Sequence, residues 1–83
     1  MSRPKLFDRV ALKRDFDEHG LKRGDLATLV DIVPHPSGGP EGAVLEVFNA
    51  LGESIMCVAI PLQDVESLCE DEILTVRRLA PHN

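Results

Sequence analysis

Gly20-Leu21-Lys22-Arg23-Gly24-Asp25-Leu26-Ala27-Thr28-Leu29-Val30 is the stretch that decides the fold. Two glycines bracket a short polar turn, and an apolar, partly β-branched run follows at once. Glycine enters left-handed backbone without steric cost, so the pair marks a tight reversal. A strand, such a reversal and a long second strand are how a small β-barrel begins. Leu21, alone and apolar between the glycines, is expected to tuck back into the core. Gly20, Gly24 and Asp25 are therefore read as structural residues of the turn and of the strand it launches.

Working outward, Asp8 to Arg14 reads as the first strand, with Val10 and Leu12 on one face at period two. Asp15 to Gly20 is acidic and turn-rich, which makes it the long first loop. The second strand runs from Asp25 to Val33 and is mostly apolar on both parities. Such a strand crosses the middle of a barrel or presses one face on another molecule. Residues 34–41, with three prolines and two glycines, are expected to form an exposed, mobile tip. Residues 42–49 read as strand three, and the Asn49–Glu53 turn is closed with help from Gly52. Ser54 to Ile60 is strand four. Pro61 to Val65 reads as one helical turn, because Pro61 has no N–H to leave unpaired at its start. Ile73 to Leu79 reads as the last strand, with 66–72 either loop or a second helical turn. This order predicts an all-β, five-stranded SH3-like barrel with a short helical turn before the last strand. It forms one domain over 1–83, with its core in about 6–80.

The same residues resemble a family. Asp8-x-Val10-Ala11-Leu12, Gly20-Leu21-x-x-Gly24-Asp25-x-x-Thr28-x-Val30 and the Val47-Phe48 strand into Asn49-x-x-Gly52 are similar to a group of small bacterial proteins forming a domain of unknown function. The tail from Pro61-Leu62 through Asp71-Glu72-Ile73-Leu74-x-Val76-Arg77 resembles that group too, so the likeness covers most of residues 6–80. The central motif also resembles the Gly-Asp-x-Gly-Thr-Val turn of ribosomal KOW segments and of the nitrile hydratase β-subunit barrel. Ala27 stands where that motif usually has glycine, which puts close backbone approach in doubt there. The resemblance implies the barrel and no particular activity.

Composition narrows the function. A chain of 83 residues buries only about 60–65% of its unfolded surface, so the core is thin. With 43% hydrophobic and 28% charged residues it has the make-up of a globular protein. No apolar run approaches the roughly 20 residues of a membrane span, and no apolar signal core follows the N-terminus; a cytoplasmic location is expected. Cys57 and Cys69 are too few for a disulfide scaffold, and Cys57, inside an apolar run, is expected to be a small buried hydrophobe.

Catalysis needs a nucleophile and base in reach, or a metal with an open position. His19, His35 and His82 are scattered, and Cys57-x11-Cys69 lacks a close ligand pair. The acids at 70–72 and 15–18 sit in loops, where solvent keeps carboxylates ionised, and no calcium-loop order is present. Arg23-Gly24-Asp25 matches an integrin tripeptide but reads as turn and strand start. No enzyme activity, metal or cofactor is expected.

The net charge of −5 is uneven: residues 1–30 hold seven Lys/Arg against five Asp/Glu, and residues 31–83 hold two against nine. This acidic balance, with no Trp or Tyr, speaks against nucleic acid and against an aromatic-lined polyproline groove. One exception is a local basic spot, where the first loop brings Lys13 and Arg14 beside Lys22 and Arg23. Strand four is apolar on both parities, so one face needs a covering loop or a partner. The reading is a non-catalytic protein-binding module or small partner subunit, with a second copy of the chain among the candidate partners. Its contact residues are Met56 and Val58, with Lys22 and Arg23. The alternatives are an RNA-binding barrel using the basic spot, or an accessory subunit of an enzyme.

Overall fold

The structure, a computed structural model, describes residues 3–79. Five strands are present: β1 (Arg9–Leu12), β2 (Leu26–Val33), β3 (Gly42–Phe48), β4 (Ser54–Pro61) and β5 (Val65–Ser67). All neighbouring strands are antiparallel in one sheet of order β4-β3-β2-β1-β5. The chain is thus all-β, with two single-turn 3-10 segments at Asp17–His19 and Leu62–Asp64. β4 and β5 are the two edges, and no backbone ladder joins them among the described residues. No helix among these residues is long and apolar enough to cross a membrane.

The core lies on one face of the sheet. Val10 and Leu12 of β1, Ala27 and Leu29 of β2, Leu45 and Val47 of β3, Val58 and Ile60 of β4, and Val65 of β5 all point into it. Phe16 and Leu21 close one end. The first loop folds inward to place them: Phe16 N–H donates to the Leu21 carbonyl at 2.8 Å, and Leu21 N–H returns to the Phe16 carbonyl at 3.1 Å. Gly20, at φ +71°, makes that reversal possible. Leu21 is buried as the sequence predicts.

The apolar character of β2 on both parities has a local cause. The register slips between Leu29 and Asp31, leaving Val30 as the extra residue of a bulge. Ala27 and Leu29 face the core before the bulge, and Ile32 packs against the core after it. Leu26 and Val33 therefore point to the other face.

Three expectations need correction. The last strand is β5, not Ile73 to Leu79. The chain leaves the Leu62–Asp64 turn directly opposite β1, where Val65 pairs with Leu12 and enters the core. That satisfies the ladder before residue 73 is reached, and residues 68–79 form no strand. Residues 66–72 accordingly hold the end of β5 and a turn in which Glu72 N–H donates to the Cys69 carbonyl at 3.1 Å. Cys57 is exposed, because it sits opposite Glu46 on the outer face while Val58 and Ile60 occupy the core parity. Phe7 is 73% exposed and Phe48 also reaches solvent.

Candidate functional site

The first loop is closed at its base by backbone bonds. Gly24 N–H donates to the Leu12 carbonyl at 2.8 Å, and Leu12 N–H donates to the Asp25 carbonyl at 3.0 Å. Asp25 caps its own turn, accepting the Lys22 N–H on Oδ2 at 2.7 Å. The short polar turn thereby aims one carboxylate outward at the root of β2.

Arg77 meets that carboxylate from the C-terminal segment. Its Nε donates to Asp25 Oδ1 at 2.8 Å and its Nη2 to Asp25 Oδ2, a two-pronged pair. Nη2 also donates to the Gly20 carbonyl at 3.1 Å, and Nη1 to the Arg78 carbonyl at 2.7 Å. Burial pushes the Asp25 carboxyl upward, but the bonds from Arg77 and the Lys22 N–H, with the charges of both side chains, hold its pKa below the ordinary value. The bond to Asp25 raises Arg77 in turn, so both partners stay charged.

This clamp lays residues 68–79 across the outer face of β1 and β2. Between tail and sheet lies a cleft of about 990 Å³, lined by Ala11, Leu26, Leu68, Leu74, Val76 and Leu79 among others. Ala11 points away from the core yet is only 5% exposed, as a residue beneath a cover should be. The tail's own apolar side chains are left in solvent: Ile73 is 88% and Val76 89% exposed. No N–H of residues 73–79 donates to a backbone carbonyl among the described residues.

Of the contact residues expected from sequence, Met56 and Val58 share the core side of β4. Val58 is in the core, 8% exposed, and Met56 packs against it from the same side. The outward residues of β4 are Ile55, Cys57 and Ala59. Lys22 and Arg23 do flank Lys13 and Arg14 across the base of the loop, but two of these charges are engaged. Lys22 Nζ is 3.2 Å from Asp17 Oδ1, and Arg14 Nε is 3.0 Å from Asp64 Oδ2 with its guanidinium 3.9 Å over the Phe16 ring. Gly52, at φ +83°, makes its expected turn.

His19 lies in the first 3-10 turn, His35 accepts the Ser37 N–H on Nδ1 at 3.0 Å in the 34–41 segment, and His82 is outside the described residues. No three metal-ligating side chains converge among the described residues. The Cys69 thiol is held above its ordinary pKa, first by the charge of Glu72 and then by burial, Asp71 and Glu66. That setting disfavours a thiolate nucleophile.

Two features escaped the sequence. The Asp25–Arg77 pair joins residues 52 apart, and no local pattern announces it. Phe7 holds φ +70°, which is costly for a bulky side chain. Its N–H donates to the Leu29 carbonyl at 2.5 Å, and Leu29 N–H donates to the Asp8 carbonyl at 2.9 Å, so the start of β1 is pinned while the ring points outward.

Comparison of the chain with protein-family models, with curated proteins and with solved structures finds no match.

Proposed function

We propose that this chain is a non-catalytic protein-binding module that engages another polypeptide through its C-terminal segment. The observation that carries this reading is the exposure of Ile73 and Val76, 88% and 89%, on a segment with no backbone partner among the described residues. Exposed apolar side chains on a segment whose backbone has no ladder are open to β-strand addition. Phe7, held outward against its backbone preference, fits the same reading.

We further propose that the sheet is the SH3-like barrel, and the supporting features are the long first loop plugged by Phe16 and Leu21 and the 3-10 turn just before β5. Two free surface thiols suit a reducing compartment, and we place the module in the cytoplasm. The RNA-binding alternative loses weight, because Arg14 and Lys22 are already paired with carboxylates.

The test is capture from host extract by the immobilised full chain, compared with an Ile73→Lys/Val76→Lys double variant. The account expects specific proteins that the double variant no longer retains. Retention unchanged by both substitutions contradicts it.

A further inference from the structure

We infer that the polypeptide engaged by the tail is a second copy of this chain, and that residues 73–79 of each copy add to the free β4 edge of the other. This rests on the protein-binding reading above and names its partner. The two halves of such an interface are present in every molecule. One is a segment, Ile73-Leu74-Thr75-Val76-Arg77-Arg78-Leu79, made of strand-favouring residues and lacking any ladder. The other is β4, whose outer edge has no strand beside it among the described residues. Free edges are normally protected by inward charges, lysine, central proline or bulges. β4 has none of these between Met56 and Ile60, and its one register shift, at Ile55, lies at the start of the strand.

The two halves match in length and in charge. Antiparallel pairing that sets Leu74 opposite Val58 also sets Val76 opposite Met56 and Thr75 opposite Cys57. Leu74 and Val76 then extend the row that Met56 and Val58 form at the core side. Arg77 and Arg78 then fall beside the β4 bulge at Ile55 and Ser54. The acids there are Glu53 and Glu46, and Ser54 Oγ donates to Glu46 Oε2 at 2.7 Å. The tail contributes two cations and no acid over 73–79, and this end of the edge is flanked by acids, so the pairing is complementary in sign.

In the single chain Arg77 is engaged with Asp25 at the root of β2. Exchange requires Arg77 to leave that carboxylate, which makes the clamp the element opposing association. Reciprocal addition of two tails gives a closed, two-fold dimer rather than an open chain.

The experiment is sedimentation of the full chain over a wide concentration series, joined to a cross-link. Wild type is expected to self-associate, and Asp25→Asn, which keeps the cap on Lys22 but weakens the hold on Arg77, to associate roughly fivefold more tightly. Thr75→Pro in the tail and Cys57→Lys on the edge are expected to abolish association while leaving the circular-dichroism spectrum unchanged. In a Cys69→Ser background under air oxidation, with dioxygen taking the two electrons and both thiol protons, Thr75→Cys is expected to give a disulfide to Cys57 of a second copy, seen as a covalent dimer. A chain that stays monomeric, association indifferent to Thr75→Pro, or a Cys57 disulfide closed within one chain overturns the inference. A monomer with specific capture from extract separates this failure from that of the protein-binding reading, which then stands with a different partner.

Discussion

Asp25 is the residue on which loop, strand and tail converge. It caps the Lys22 turn, bonds β1 through its carbonyl and holds Arg77 through its carboxylate. Its carboxyl pKa is lowered in the folded chain relative to 3.8. The stabilisation it supplies is therefore fully present above that value and is lost as pH falls through the lower, folded value. Arg77→Ala is expected to open the tail about fivefold at neutral pH, in keeping with a partly exposed pair of about 1 kcal/mol. Faster tryptic cleavage at Arg78 reads this directly, and unchanged cleavage contradicts it. Wild type is expected to approach the variant's tail opening only at acid pH, seen as faster cleavage within residues 73–79 by an acid-active protease. Phe7 makes a second prediction: Phe7→Asn, which tolerates φ +70°, is expected to raise stability by about 1 kcal/mol. Chemical denaturation measures it, and the same variant is expected to weaken partner capture.

At the scale of elements, the first loop was the most legible part of the chain. Gly20 and Gly24 took positive φ, and Leu21 entered the core. An apolar residue fixed between two glycines has few other places to go. Leu21→Ala is expected to cost about 3 kcal/mol and to lower the melting temperature, whereas Ile73→Lys leaves it unchanged. A calorimetric scan of both variants separates core from tail. The inward faces of β2 and β4 were not legible. Both strands are apolar on both parities, so period two could not say that Val30 is a bulge or that Val58, not Cys57, is inside. Ile73 to Leu79 carries every local sign of a strand. Pairing decides otherwise, because Val65 reaches β1 first.

The described residues form a single antiparallel sheet over one thin core, with no ladder joining its two edges among them and a charged clamp holding the tail over its outer face. All-β class, the first four strands and the turn after Pro61 followed from composition and punctuation, whereas the fifth strand lies at Val65–Ser67 instead of 73–79. The tail interface did not, since it depends on an ion pair distant in sequence and on an edge visible only once the strand order is known. Hydrogen exchange followed residue by residue, in dilute and concentrated solution, tests the central claim most directly. The account predicts that amides of residues 73–79 exchange almost without protection in dilute solution, and gain protection together with residues 55–60 of β4 as the chain associates. Protection of residues 73–79 already in the dilute monomer, or association that leaves both segments unprotected, would contradict it.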